Sequence, residues 1–202
     1  MKRVYIYVNG ILTWPGDSKN WNGRAVTWTH INSEAKAEKC EYWVGPISRA
    51  FGQKKRAEKL YVTSTYYRTW EQIIVGHSNG ADVILSAMRD WPDFPHVSAL
   101  HLVCGATNAD FQKNMLNFFL LLGRIDRVYV YVAGNDRALR LAHTIPGKIL
   151  GYGTMGLGHY LNIDARVKDR VSVINAGKWK HYGHSDCWKD ENFDETMRHF
   201  VI

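Results

Sequence analysis

Short, continuous runs of apolar residues alternate along the chain with segments whose apolar positions recur at helical spacing. Six of these runs are typical of strands, and turn residues such as Asn9-Gly10 close them. Because the runs are continuous rather than alternating, they predict strands buried on both faces, as in a parallel sheet. The predicted strands cover residues 4–8, 40–44, 73–75, 97–104, 128–133 and 171–174.

The segments between these runs predict helices that return the chain across a sheet. Between Ala81 and Met88, apolar residues recur at i, i+3, i+4 and i+7, and prolines follow at 92 and 95. Further helices are predicted over 33–39, 48–67, 111–122 and 192–201, while residues 11–23 predict a loop. Strands that alternate with helices predict right-handed crossovers. We therefore expect one domain over residues 1–202, an α/β fold with a doubly wound, mostly parallel sheet of about six strands and helices on both faces.

Composition narrows the class of protein without changing this fold. The chain has 202 residues, of which 46% are hydrophobic and 22% charged, which is typical of globular proteins rather than disordered ones. The net charge of +7 favours anionic partners, but the basic stretch 53–59 is typical of a solvated helix face and no nucleic-acid motif appears. The apolar runs at 4–8 and 115–122 are too short for a signal peptide or a membrane span, so neither is expected.

The three cysteines, Cys40, Cys104 and Cys187, are far apart in the sequence. Their number and spacing predict neither a disulfide framework nor a metal site, and the nine histidines form no metal-binding motif. Reduced, buried thiols favour a cytoplasmic location. No metal or cofactor is predicted.

The strongest chemical signal is the pentapeptide Gly76-His77-Ser78-Asn79-Gly80, which has the pattern G-x-S-x-G. A predicted strand precedes it and a predicted helix follows it, as a sharp strand-to-helix turn requires. Such a turn exposes the Ser78 hydroxyl above the sheet, and it brings backbone too close to the flanking glycines for a Cβ. The pattern predicts a nucleophilic serine.

A nucleophilic serine needs a base, and the base needs an acid that orients it. Asp136 follows the strand 128–133, and His184 follows the last predicted strand, so both belong at the carboxyl edge of the sheet. Two alternatives stay open, which are Asp110 as the acid and His181 as the base.

These motifs together resemble the α/β-hydrolase superfamily, in its serine esterase and lipase branch. The order nucleophile, acid, histidine, carried here by G-H-S-N-G, A-G-N-D and G-H-S-D, is the order of that family. The resemblance implies a Ser78–His184–Asp136 triad that cleaves a carboxylic ester of a small or lipid-like molecule through an acyl-enzyme. The chain departs from the family pattern because no inserted lid domain is seen in the sequence, so we expect a trimmed core with no large lid domain.

The resemblance further implies an oxyanion hole formed by two backbone N–H groups. One belongs to Asn79, and the other to Ile11 in the loop after the first strand, with Leu12 as the fallback. Leu12, Trp14 and His77 are the expected substrate-binding residues, although neighbours on a strand end point in different directions, which favours a packing or site-wall role for His77.

Two questions stay open at this point. The glycine-rich stretch 147–161 could be a mobile flap over the site or a long irregular connection. The same triad could act as a thioesterase, an amidase or an acyltransferase, and the fold alone could serve a non-catalytic binding domain.

Overall fold

A single sheet organises the computed structural model, which describes residues 1–10, 20–43, 52–142, 153–158, 161–176 and 183–201. Its strand order in that part of the chain is β2-β1-β3-β4-β5-β6, and every neighbouring pair is parallel. The chain moves outward from β1 to β2 and then returns to β3 on the other side of β1. This reversal makes a crevice at the carboxyl ends of β1 and β3, which is where open α/β sheets bind ligands. The strands are β1 (Arg3–Val8), β2 (Lys36–Cys40), β3 (Glu71–His77), β4 (Val97–Val103), β5 (Ile125–Val132) and β6 (Val171–Asn175).

Helices cover both faces of the sheet, because alternate residues of its strands point to opposite sides. On β1, Val4, Ile6 and Val8 join one apolar cluster, whereas Tyr5 and Tyr7 join a second cluster on the other face. The first cluster includes residues of α2, α3 and α4, and the second includes residues of α1 and α6. The predicted doubly wound α/β architecture is therefore confirmed. The helices are α1 (Trp21–Asn32), α2 (Gln53–Tyr66), α3 (Asn79–Asp90), α4 (Leu116–Leu121), α5 (Arg137–Ala142) and α6 (Asp190–Phe200).

The region before α2 differs most from the expectation. Residues 21–32 are helical although a loop was predicted up to residue 23, and the predicted helix over 33–39 is wrong, because residues 36–40 form β2. The predicted strand at 40–44 therefore lies four residues too late. The edge strand β2 buries only Ala37 and Cys40, whose spacing of three is also that of a helix face.

The helix predicted over 111–122 is shorter in the structure and begins at Leu116. Its start is fixed by Met115, which has a left-handed φ of 68°, and by the Asn114 side chain, which accepts a hydrogen bond from the Leu116 N–H at 2.9 Å. The preceding Phe111 donates its backbone N–H to the Leu161 carbonyl instead of joining the helix. The short helix α5, directly after Asp136, was not predicted.

The described part of the glycine-rich stretch is packed against the sheet. Met155, Gly156 and Leu157 are buried, and the segment bonds through its backbone to residues 105–107 and to Ala133. A Cβ on Gly153 would lie 1.9 Å from the Thr107 carbonyl, so this contact requires glycine. Residues 153–158 are thus a tight connection rather than a flap, and residues 147–152 and 159–160 lie outside the described part.

Among the described residues, no helix is both long and apolar enough to cross a bilayer.

Candidate active site

Ser78 is the single residue between the end of β3 and the start of α3. Its φ of 53° and ψ of −118° are rare for a residue other than glycine. The strained conformation is held on both sides, because the Ser78 N–H donates to the Val103 carbonyl at 2.9 Å and its own carbonyl accepts from the Ala106 N–H at 2.9 Å. The turn is therefore anchored to the end of the neighbouring strand β4.

The two glycines of the pentapeptide make room for this turn. A Cβ on Gly76 would lie 2.5 Å from the Ile84 Cδ1, and a Cβ on Gly80 would lie 2.5 Å from the Val8 carbonyl oxygen. Both distances are far below van der Waals contact. Helix α3 thus starts directly against the end of β1, which is the steric reason expected from the sequence.

Three side chains that are distant in sequence meet at this edge of the sheet. The Ser78 Oγ lies 2.9 Å from the His184 Nε2, and the His184 Nδ1 lies 2.7 Å from the Asp136 Oδ2. A carboxylate can only accept a hydrogen bond, so Nδ1 carries a proton and donates it to Asp136 when the carboxyl group is ionised. In a neutral imidazole the Nε2 is then free to accept the hydroxyl proton of Ser78.

Burial differs among these three residues. Asp136 is 0% exposed, whereas the His184 side chain is 18% exposed. The second carboxylate oxygen, Oδ1, accepts the backbone N–H of Leu139 at 2.9 Å, so the first turn of α5 holds the carboxylate. The Asp136 carboxylate therefore lies behind the His184 imidazole, away from solvent.

Cys104 adds a further contact behind Asp136. Burial raises the pKa of this thiol well above its ordinary value, and the nearby Cys187 and Asp136 raise the pKa further. The thiol therefore keeps its proton beside the Asp136 side chain. The donor atoms of Cys104, Asp136 and His184 lie within 4.8 Å of one another, and this is the group in the described residues that could hold a metal ion. A metal ion would need a thiolate and an unprotonated ring nitrogen. Here the Cys104 thiol keeps its proton, and the His184 Nδ1 is hydrogen bonded to Asp136.

The loop that carries His184 turns around Asp186. The Asp186 carboxylate accepts the Gly183 N–H and pairs with the Lys189 ammonium at 2.8 Å, while its carbonyl accepts from the Asn192 side chain at 2.9 Å. These local bonds shape the loop between Gly183 and the start of α6.

Aromatic rings join this loop to the body of the protein. The Trp188 ring stacks on Trp21 of α1 with centroids 4.0 Å apart, and the ring of His77 packs edge-on against both, at 5.5 and 6.1 Å. Burial lowers the pKa of His77 to about 3, and the neighbouring His184 contributes to this shift. His77, which was expected to bind substrate, is only 5% exposed and packs behind His184. Trp188 is buried in the same stack.

The expected oxyanion hole lies partly within the described residues. Asn79 is the first residue of α3, directly after Ser78, and it is buried. A Cβ on Gly10 would lie 3.0 Å from the Ser78 Cβ, so the turn after β1 passes close to Ser78. The turn is also tied down, because the Tyr42 hydroxyl donates to the Asn9 carbonyl at 2.6 Å and the Asn9 amide donates to the Tyr42 carbonyl at 2.9 Å. Ile11, Leu12 and Trp14 lie outside the described residues.

The two candidate acids from the sequence, Asp110 and Asp136, have different partners in the structure. Asp110 accepts hydrogen bonds from the Asn162 side chain and the Gln112 backbone, and the Asn162 contact lowers its pKa. It is Asp136 that contacts His184. His181 lies outside the described residues.

Several groups at the site were not identified from the sequence. They include Cys104, Tyr42 and the bond that His77 makes. Cys104 ends a predicted strand at the carboxyl edge of the sheet, and that position was the available signal. For Tyr42 no local signal existed, because its partner Asn9 is 33 residues away.

Comparison with known proteins places the fold. The sequence matches no protein-family model, and no curated protein matches it. Solved structures do match over nearly the whole chain, and those with stated activities are hydrolases of the α/β-hydrolase type. The chain therefore has the α/β-hydrolase fold, as the resemblance implied.

Three of these structures illustrate the similarity. An Agrobacterium vitis S4 protein named only as a hydrolase aligns with a TM-score of 0.59 and 12% identity, over 100% of this chain and 88% of its own. Est1E from Butyrivibrio proteoclasticus gives 0.53 and 12%, over 99% and 86%. The N-formylmaleamic acid deformylase of Pseudomonas putida S16 gives 0.51 and 10%, over 98% and 92%. At these identities the similarity shows the fold alone.

Proposed function

We propose that this protein is a serine hydrolase that cleaves carboxylic esters. Ser78 is the nucleophile, His184 the general base and Asp136 the acid that orients the base. The observation that carries the proposal is the pair of hydrogen bonds, 2.9 Å from Ser78 Oγ to His184 Nε2 and 2.7 Å from His184 Nδ1 to Asp136 Oδ2. The strained backbone of Ser78 supports it, because strain of this kind concentrates at functional sites.

The first half-reaction forms an acyl-enzyme. The Ser78 oxygen attacks the ester carbonyl while its proton moves to His184 Nε2. The developing oxyanion accepts hydrogen bonds from the Asn79 N–H and from an N–H in the loop after β1, for which Ile11 is our candidate. The tetrahedral intermediate then expels the alcohol, which takes the proton from His184.

The second half-reaction releases the acid. A water molecule gives a proton to His184 and attacks the acyl carbonyl, and collapse of the intermediate returns that proton to Ser78 as the carboxylic acid leaves. Throughout, the buried Asp136 holds the imidazole tautomer and stabilises the imidazolium. These steps need no cofactor.

The choice of an ester is the finer part of the proposal. It rests on the family resemblance, since thioesters and amides would be cleaved by the same groups. A panel of p-nitrophenyl esters of increasing acyl length, together with a matched thioester and anilide, distinguishes these substrates.

The role of Ser78 is tested with a fluorophosphonate probe and with Ser78→Ala. We expect wild-type protein to be labelled and to hydrolyse at least one ester, and Ser78→Ala to lose both properties while it stays folded. Ser86→Ala is the matched control, because Ser86 is a buried serine on the same helix α3 that does not contact His184. Equal labelling of Ser78→Ala and wild type would contradict the proposal.

A further inference from the structure

His77 makes one polar contact that the proposed chemistry does not use. Its Nε2 lies 2.7 Å from the backbone carbonyl oxygen of His184. A carbonyl oxygen can only accept, so Nε2 carries the proton and Nδ1 is the unprotonated nitrogen of the neutral ring. This contact connects the residue before the nucleophile to the main chain of the proposed base, 107 positions later.

The contact matters because the imidazole of His184 has two geometric tasks. It must stay within hydrogen-bond distance of Ser78 on one side and of Asp136 on the other. Rotation of the His184 peptide unit would move the ring away from at least one partner. Because His77 at the end of β3 holds this carbonyl, the position of His184 is fixed relative to the strand end that carries Ser78.

The environment of His77 suits a neutral donor. Its ring is enclosed by Trp21 and Trp188, and the ring centroid of His184 is 5.0 Å away. Burial lowers the pKa of His77 to about 3, so its ring is uncharged at neutral pH. A neutral His77 adds no positive charge beside the imidazolium that forms during the reaction.

We infer that His77 is a positioning residue for His184, and that it acts by donating its Nε2–H to the His184 carbonyl oxygen. The inference deepens the proposed function and rests on it for the effect on rate. The bond itself can be examined without any substrate.

Two substitutions at position 77 separate this hydrogen bond from simple packing. His77→Gln keeps an N–H at about the distance of Nε2 from the main chain, whereas the amide of His77→Asn ends one bond short, near the position of Nδ1. Both replace a buried ring by an amide, so they impose similar costs on folding. His101→Gln is the control, because His101 is another buried histidine, on β4, that bonds the Tyr131 hydroxyl at 3.0 Å and packs against Tyr129 and Phe200.

We expect His77→Asn to lower kcat for ester hydrolysis by about 10- to 100-fold with KM changed less than about two-fold, since small misplacements of reacting groups have effects of this size. His77→Gln recovers most of the loss, and His101→Gln stays within a factor of about two of wild type. A loss that is equal in His77→Asn and His77→Gln, or equal in His77→Asn and His101→Gln, would overturn the inference.

Nuclear magnetic resonance of protein with ¹⁵N-labelled histidine provides the readout that needs no activity. The Nδ1–H resonance of His184, identified by its disappearance in His184→Ala, should be present in wild type and His77→Gln but broadened or lost in His77→Asn. If wild type hydrolyses no ester yet shows this pattern, the proposed function fails and the positioning role stands. An unchanged resonance in folded His77→Asn would overturn the positioning role whatever the activity.

Discussion

The turn that carries Ser78 and the loop that carries His184 each hold one side chain of the candidate site in position, but they do so through different kinds of contact. Ser78 lies between a strand and a helix, and backbone hydrogen bonds to β4 and close glycine contacts hold its position. His184 lies in an irregular segment held by side chains from β3 and α1. The comparison indicates that the proposed nucleophile is placed by main-chain geometry, whereas the proposed base is placed by a set of separate side-chain contacts.

This difference has a consequence for substitutions. Backbone geometry leaves few intermediate states, so a change at the elbow should have a large effect on the whole fold. Each side-chain contact contributes only part of the positioning of His184. A single substitution around this loop should therefore lower activity only partly.

Asp136→Asn should have the largest effect, with a loss of about 10⁴ in kcat. The amide can donate to His184 Nδ1, which favours the tautomer that carries its proton on Nε2 and cannot accept from Ser78. Ester hydrolysis and the rate of fluorophosphonate labelling should fall together. Asp110→Asn is the matched control and should stay near wild type, and a loss confined to that control would move the acid to the end of β4.

Gly80→Ala tests the elbow through stability. The new Cβ would lie 2.5 Å from the Val8 carbonyl oxygen and 3.0 Å from that of Asn9, so the start of α3 must move away from β1. Overpacking of this kind lowers the free energy of unfolding by about 1–3 kcal/mol. Urea denaturation of Gly80→Ala and wild type measures this difference in the free energy of unfolding.

Gly23→Ala is the control for this substitution. A Cβ on Gly23, within α1, meets no atom within 4 Å, and alanine favours a helix over glycine. We expect it to raise the free energy of unfolding by up to about 1 kcal/mol. Equal effects of the two alanines would show that the elbow is not sterically tight.

The contrast between the two regions also explains what the sequence could predict. The sheet was predictable because strands buried on both faces form continuous apolar runs, as in Val4–Val8. The elbow was predictable because its geometry needs two glycines and a serine at fixed spacing. Both features depend on residues that are neighbours in the chain.

The unpredicted parts depend on distant partners. Helix α1 contains Gly23 and several β-branched residues, which are weak helix formers, and it is held by contacts such as the Thr29 hydroxyl to Tyr7 at 2.6 Å. The sequence favoured His184 over His181 only through its place after the last predicted strand, since no local motif indicates that His77, Trp21 and Arg24 hold the later segment. When a proposed base is held by side chains that are distant in sequence, no short sequence motif marks its position.

The two buried histidines should make stability depend on pH. Burial lowers the pKa of both His77 and His101 to about 3, below the ordinary value of about 6.5 that applies in the unfolded chain. The unfolded chain binds these protons first, so the stabilisation is complete above about pH 6.5 and is lost as the pH falls towards 3. Each histidine contributes a slope of up to about 1.4 kcal/mol per pH unit.

Urea denaturation between pH 7 and pH 5 measures this slope before most carboxylates titrate. His101→Phe, which keeps a ring in the core, should reduce the slope by the share of one proton. An unchanged slope in that variant would mean that His101 takes up no proton on unfolding.

Arg24 offers the smallest and most specific test of the side-chain placement of the base. Its guanidinium donates to the Trp188 carbonyl at 2.9 Å, pairs with Asp190 at 2.9 Å and lies 4.1 Å from the Phe193 ring centroid. These contacts fasten α1 to the segment just after His184. Because the side chain is 31% exposed and Asp190 is almost fully exposed, solvent screens the ion pair, and the bond to the carbonyl should dominate.

We expect Arg24→Gln to lower the free energy of unfolding by about 1 kcal/mol, the usual size of one partly exposed hydrogen bond, and to lower kcat by about two- to five-fold. The loss in kcat should be nearly independent of salt, since the Asp190 pair contributes little to it. Arg166→Gln is the matched control, because Arg166 pairs with Asp164 at 2.7 Å on the surface and does not touch the His184 loop. If Arg24→Gln left kcat unchanged while it lowered stability, the stacked rings of Trp21 and Trp188 and the bond from His77 would be sufficient to place the base.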